Sequence, residues 1–61
     1  MRFLVFKPEP LDHDPDHIVY LERVGSHFSY SPSLDDAFLF STPEKALYLA
    51  NKFGGKFKPY V

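Results

Sequence analysis

Three stretches in the first half of the chain have the hydrophobic pattern of β-strands. In Arg2–Lys7 four apolar residues follow one another, which predicts either a central strand that is covered on both faces or a strand with an apolar surface for a partner. His17–Val24 is rich in β-branched and aromatic residues, and His27–Ser31 alternates polar with aromatic positions. Gly25-Ser26 between them has the composition of a two-residue turn, because glycine adopts a positive φ at little cost. We therefore predict a hairpin whose second strand turns its aromatic rings inward.

The second half of the chain is organised around an amphipathic helix with a start signal and a stop signal. Thr42 is the predicted N-cap and Pro43 the first helical residue, since proline is favoured where the helix needs no donor. A stripe of apolar residues then recurs at helical spacing: Ala46, Leu49, Ala50 and Phe53. Gly54 occupies the position at which helices commonly end in a left-handed residue. The pattern predicts a helix over about residues 43–53.

Two segments flank the helix and complete the predicted fold. Phe38–Phe40 is a short strand or an extended entry, and Lys56–Val61 is a last strand in which Pro59 favours an edge position. The predicted order of elements is β-β-β-(β)-α-β. We predict an α+β fold, in which a small, mostly antiparallel sheet of four to five strands carries the helix on one face. We expect residues 1–61 to form one small domain.

Size and composition limit how this domain can be stabilised. A domain of 61 residues buries only about 60% of the surface of its unfolded chain, so it needs an unusually rich core. The chain has no cysteine for a disulfide, but seven Phe and four Tyr make up 18% of it. Each such ring can bury roughly 150–250 Å². These rings exceed the room in one small core, so we expect some at an interface, with a homodimer as one form.

Charge and hydropathy bear on the partners and the compartment. The formal net charge of -1 creates no long-range field that attracts nucleic acid or an acidic membrane. No apolar run approaches the ~20 residues of a membrane span, and Met1–Phe6 is too short for a secretory signal. The absence of cysteine fits a reducing compartment. We expect a cytoplasmic protein that is not processed.

The loop between the first two predicted strands holds the densest cluster of metal-ligand residue types. Asp12, Asp14 and Asp16 alternate there with histidine and proline, and we expect an irregular, mobile segment. His13 and His17 are candidate ligands for Zn²⁺ or Ni²⁺. A proline between the two histidines opposes the helix that would bring their imidazoles together, so a solvated acidic loop is the favoured interpretation.

No stretch of the chain has the pattern of a catalytic site. There is no cysteine nucleophile, and no serine lies in a nucleophile-elbow pattern. Gly54-Gly55-Lys56 follows a helix, whereas a phosphate-binding loop precedes one. A chain this short also struggles to enclose a ligand pocket of ~300 Å³. We predict a protein that is not an enzyme and carries no cofactor.

The segment Ala37–Ala46 resembles a pattern that recurs in small accessory proteins of phages and prophages. The pattern is A-x-x-F-x-[ST]-x-E-x-A, preceded by a hairpin with an aromatic second strand and followed by a terminal strand, and the similarity spans roughly Ile18–Val61. The resemblance implies a small α+β protein that binds a host or phage macromolecule in the host bacterial cytoplasm. It implies no catalytic residues.

We therefore predict a binding protein that docks on a protein partner, as an inhibitor or modulator of a host factor. The candidate contact residues lie on the acidic loop, the outer side of the helix and the last strand: Asp12, Asp14, Asp16, Tyr48, Lys56, Lys58 and Tyr60.

The alternative is a module that binds single-stranded nucleic acid. Lys52, Lys56 and Lys58 would contact phosphates, and the aromatic residues between them would stack on bases. One exposed face shared by Tyr48, Tyr60 and the lysines would strengthen this alternative. Burial of Phe57 in the core would weaken it.

Overall fold

A computed structural model describes residues 1–60 and contains one antiparallel four-stranded sheet with a helix on one of its faces. The elements follow in the order β1 (Arg2–Pro8), β2 (Ile18–Val24), β3 (His27–Ser31), a 3₁₀ turn (Leu34–Asp36), α1 (Pro43–Phe53) and β4 (Lys56–Tyr60). This confirms the predicted α+β class and the predicted order. Val61, the last residue of the predicted final strand, lies outside the described residues.

The order of strands across the sheet is β3-β2-β1-β4. β1 is therefore an inner strand, paired with β2 on one side and with β4 on the other. Leu4 and Val5 are both fully buried although they point to opposite faces of the sheet, as the unbroken apolar run predicted. β4 lies at an edge, which is where Pro59 favours it.

The β2–β3 hairpin turns at Gly25, whose φ of 62° lies in the region that glycine occupies readily. Arg23 pairs with Phe28 and Leu21 with Tyr30 across the two strands. Both aromatic residues of β3 pack against the core on the helix side of the sheet, so their predicted inward direction is confirmed.

The connecting segment Phe38–Phe40 is not a strand of its own but joins the separated ends of β1 and β2. These strands pair with each other only where Phe6–Pro8 meets the start of β2. Farther along, the Phe40 N–H donates to the Phe3 carbonyl oxygen (2.7 Å), and the Phe3 N–H donates to the Phe40 carbonyl oxygen (2.9 Å). The Phe38 N–H donates to the Leu21 carbonyl oxygen at 3.0 Å. The segment therefore satisfies backbone groups of both strands where they no longer pair.

The core lies between the helix and the sheet, and aromatic rings make up most of its boundary. Its buried centre consists of Val5, Leu21, Phe40, Ala46 and Ala50. Half-buried apolar residues surround this centre: Phe3, Phe28, Tyr30, Phe38, Leu49, Phe53 and Phe57. The two alanines let the helix approach the sheet closely, and the rings fill the space around it.

The helix begins and ends where its sequence signals predict. The Thr42 side-chain oxygen accepts a hydrogen bond from the Lys45 N–H at 3.4 Å, and Pro43 is the first helical residue. Gly54 ends the helix in the left-handed conformation, with φ 73° and ψ 30°.

Gly55 allows the end of the helix to meet two strands at close range. The Tyr30 hydroxyl donates to the Phe53 carbonyl oxygen at 3.1 Å. A β-carbon on Gly55 would lie 2.5 Å from that hydroxyl oxygen and 2.8 Å from the Phe6 carbonyl oxygen. Both separations are shorter than van der Waals contact, so a side chain at this position forces β1 or β3 away from the helix.

We predict that Gly55→Ala lowers the free energy of unfolding by about 1–3 kcal/mol, the usual cost of an extra methyl group in a packed site. Urea denaturation at neutral pH measures it. In the double variant with Tyr30→Phe, one of the two close contacts is relieved, so the combined cost is smaller than the sum of the single costs. Additive costs would contradict the proposed contact.

We also predict that Tyr30 makes stability depend on alkaline pH. Burial raises the pKa of Tyr30 above its ordinary value of 10.0, so the folded state holds this proton more tightly than the unfolded chain. The stabilisation is complete below the unfolded pKa and is lost as the pH rises through the folded pKa. Tyr30→Phe is expected to cost about 0.5–1.5 kcal/mol near neutral pH, and the difference from wild type should narrow above pH 10.

Urea denaturation of the wild-type protein and of Tyr30→Phe between about pH 8 and pH 11 measures how the difference in their free energies of unfolding changes with pH. The other tyrosines are common to the two proteins, so their titration cancels in the comparison. A difference that stays constant across this range would show that the Tyr30 hydroxyl does not couple to folding.

Candidate functional site: an aromatic groove with a basic rim

A groove of about 320 Å³ opens between the N-terminal half of α1 and the ends of β2 and β3 near their shared turn. We call it the aromatic groove. Its lining comes from both strands, the connecting segment and the helix: Arg23, Phe28, Phe38, Phe40, Lys45, Tyr48 and Leu49. Its volume reaches the lower end of the range for ligand sites, but the groove is open to solvent and does not enclose a ligand.

Three phenylalanine rings line the inner part of the aromatic groove and hold one another in place. Phe28 and Phe38 meet edge to face, with ring centroids 5.6 Å apart and planes at 90°. Phe38 and Phe40 are closer, at 4.8 Å between centroids, and Phe40 is buried. Because these rings also belong to the core or pack against it, this apolar surface is formed before any partner arrives.

The rim of the aromatic groove is basic. Arg23 and Lys45 are both exposed, and the Arg23 Nε–H donates to the Gly25 carbonyl oxygen at 3.1 Å. Tyr48 stands at the same rim with 65% of its surface exposed. Among residues 1–60, no carboxylate contributes to the lining. The groove therefore combines an apolar interior with two positive charges.

The acidic loop, which we define as Glu9–His17, contains no helix or strand, as its composition predicted, but backbone hydrogen bonds close it. The Leu11 N–H donates to the Asp14 carbonyl oxygen at 3.0 Å, and the Asp14 N–H returns a bond to Leu11 at 3.1 Å. The Glu9 N–H donates to the His17 carbonyl oxygen at 2.9 Å. Backbone bonds thus fix both the base of this loop and its tip.

The side chains of the acidic loop project into solvent. Asp12, Asp14 and Asp16 are all exposed, as is His13. His17 is half-buried, and its Nδ1 lies 3.1 Å from the Glu9 carbonyl oxygen. Within residues 1–60, no group of three or more His, Cys, Asp and Glu side chains is placed to hold a metal ion.

The remaining predicted contact residues do not form one surface. Lys56, Lys58 and Tyr60 alternate along β4 with Phe57, which packs against the core. They therefore lie on the face of the sheet opposite the helix, whereas Tyr48 is on the helix itself.

Lys52 is also on the helix, with its Nζ 5.9 Å from the Phe53 ring centroid. The single exposed face that would strengthen the nucleic-acid alternative is therefore not present among the described residues. Phe57 is half-buried against the core, which also counts against that alternative in its predicted form.

Of the groove residues, sequence reasoning selected only Tyr48 as a contact residue. Arg23 and Phe28 lie in the predicted hairpin, Leu49 belongs to the predicted apolar stripe of the helix, and Phe38–Phe40 is the predicted short strand or extended entry. The available signal was the number of rings, which exceeded the room in one small core. That signal indicated an interface without showing where it lies.

Comparison of the chain with protein-family models, with curated proteins and with solved structures finds no match. The resemblance to small phage accessory proteins therefore stays a prediction. Within residues 1–60, no helix is long and apolar enough to cross a membrane.

Proposed function

We propose that this chain is a non-enzymatic binding protein that docks on a protein partner through the aromatic groove. The observation that carries the proposal is the groove itself, an open apolar surface lined by three phenylalanine rings and Tyr48. Following the phage-like pattern of Ala37–Ala46, we propose that a phage or prophage encodes it. Its action in the host bacterial cytoplasm would be to inhibit or modulate a host factor.

Four of the seven lining residues are aromatic and a fifth is arginine, and these residue types contribute strongly to binding in protein interfaces. Aromatic residues and arginine are enriched among interface hot spots, whereas lysine and acidic residues are depleted. Tyr48 presents a large ring with few rotatable bonds, so binding restricts little side-chain freedom. The phenylalanine rings of the groove are already fixed by their packing with the core, so binding a partner restricts them little further.

The polar groups at the groove are suited to recognition and offer little for catalysis. Its lining residues supply one guanidinium, one ammonium and one phenol. Within residues 1–60 they include no carboxylate, imidazole or thiol, which are the usual general bases and nucleophiles. This composition supports a binding role.

We predict that tagged protein captures a stoichiometric partner from bacterial lysate and that Tyr48→Glu abolishes the capture. Leu47→Glu is the matched control, because Leu47 precedes Tyr48 on the helix and is 47% exposed but does not line the groove. Both variants place the same charge on the same helix. Quantitative mass spectrometry of the captured material measures the difference, which we expect to be roughly tenfold or more for a hot-spot residue.

Circular dichroism must show that both variants are folded. Equal loss of the partner in the two variants would place the contact outside the groove. Recovery of no stoichiometric partner by folded wild-type protein would count against the proposal as a whole.

A second candidate function, binding of single-stranded nucleic acid, is favoured by the face of the sheet opposite the helix. Arg2 pairs with Tyr60 and Phe6 pairs with Lys56 across β1 and β4. The Lys58 Nζ lies 5.0 Å from the Phe6 ring centroid. Basic and aromatic side chains therefore alternate on one surface, as they do where bases stack and phosphates are neutralised.

This candidate predicts salt-dependent binding of a fluorescein-labelled oligo(dT), measured by fluorescence anisotropy at low ionic strength. Lys56→Glu with Lys58→Glu should weaken binding roughly tenfold or more, because phosphate contacts supply much of such affinity. Lys45→Glu with Lys52→Glu makes the same charge change on the helix and should leave binding much less affected. Absence of binding by wild-type protein at low salt would exclude this function.

A further inference from the structure

We infer that the acidic loop of one copy docks in the aromatic groove of a second copy, so that the protein associates with itself through loop-to-groove contacts. The inference rests on the proposed function, since it names a segment that the groove binds. Both halves of the contact are present on this chain.

The acidic loop presents one leucine among several carboxylates. Leu11 is 37% exposed, and four acidic residues surround it in the sequence: Glu9, Asp12, Asp14 and Asp16. The reciprocal backbone bonds between Leu11 and Asp14 fix this arrangement before binding. A preformed turn loses little conformational freedom when it docks.

The aromatic groove has the complementary chemistry. Its phenylalanine rings offer an apolar surface to Leu11, and the groove volume of about 320 Å³ has room for a branched aliphatic side chain with an adjoining proline ring such as Pro10. Arg23 and Lys45 at the rim face the charges that would flank such a side chain. Opposite charges on the two surfaces favour this orientation and disfavour others.

The distribution of charge over the whole chain supports the same pairing. The chain has eight acidic and seven basic residues. Four of the acids lie in the acidic loop, which contains no lysine or arginine, so the loop carries -4. The remaining four acids and all seven bases give +3 elsewhere. The net charge of -1 is therefore the sum of a strongly negative acidic loop and a positively charged remainder of the chain.

The fold prevents the loop from reaching the groove of its own chain. The acidic loop joins β2 at Ile18, whereas the groove is lined by Arg23 near the other end of that strand. At about 3.4 Å per residue, these positions are roughly 17 Å apart along the strand. The base of the loop is also closed by the bond between Glu9 and His17. The contact must therefore form between two copies.

Because loop and groove lie toward opposite ends of β2, two copies placed side by side in opposite directions bring each loop to the other copy's groove. This gives two identical contacts related by a two-fold axis, which is the commonest closed form of a homo-oligomer.

Complementary charge reversal tests the inference. One variant reverses the loop charge from -4 to +2 with Asp12→Lys, Asp14→Lys and Asp16→Lys, and the other reverses the two groove charges with Arg23→Glu and Lys45→Glu. Sedimentation equilibrium should show that the wild-type protein forms dimers. Each variant alone should self-associate roughly tenfold more weakly or worse, because each contact between two copies of that variant joins like charges. An equimolar mixture should dimerise again, because both contacts in the mixed pair join opposite charges.

Lys56→Glu with Lys58→Glu is the control, because it changes the charge by the same amount as the groove variant but on the other face of the sheet. It should self-associate as wild type does. Leu11→Ser should weaken association without any change of charge. Circular dichroism establishes that every variant is folded.

The outcomes separate this inference from the proposed function. Wild-type protein that stays monomeric up to millimolar concentration overturns self-docking, even if Tyr48→Glu abolishes capture of another protein. Single reversals that associate as wild type does, or a mixture that stays monomeric, also overturn it. Restored association only in the mixture supports it, whether or not the lysate supplies a partner.

Discussion

The rest of the structure depends on the way Phe38–Phe40 closes the gap between β1 and β2. Phe40 exchanges two backbone hydrogen bonds with Phe3, and its side chain is buried at the centre of the core. Without this segment, backbone groups of both strands would need other partners, at a cost of about 1–3 kcal/mol for each group left buried and unpaired. The same segment leads to Thr42, the N-cap of the helix, so closing the gap also sets where the helix begins on the sheet.

This arrangement ties the candidate binding surface to the stability of the fold. Phe28, Phe38 and Phe40 face the core on one side and the aromatic groove on the other. A small domain has too little interior to surround every large ring, because its surface is large relative to its volume. Rings that are needed to exclude water from the core therefore remain partly accessible. A groove of this kind is a direct consequence of building a 61-residue domain from phenylalanine.

The charged side chains lie on the surface, outside the residues that form the core. No charged side chain is among the buried residues of the described chain, and the acidic residues of Glu9–His17 all point to solvent. Backbone hydrogen bonds close the acidic loop, and its carboxylates are exposed. Charge reversal at these carboxylates should therefore leave the fold intact, which is the condition for interpreting its effect on association.

Local physical chemistry determined much of this protein from sequence alone. The helix boundaries follow from Thr42, Pro43 and Gly54, and the hairpin turn follows from Gly25. The alternation of β3 showed which of its side chains face inward, and the apolar run in β1 indicated an inner strand. Each of these features depends on residues a few positions apart, so the information is present within a short window of sequence.

Only the tertiary structure decided how these elements combine. It placed β4 beside β1, closed the acidic loop through backbone bonds, and showed that Phe38–Phe40 joins two strands without being a strand. It also brought Arg23, Phe28 and Lys45 together around one groove, although they come from separate elements of the chain. Contacts between distant residues depend on packing the whole domain at once, and no local pattern contains them. Position in the fold, and not residue type, therefore determines which rings of the core also line the groove.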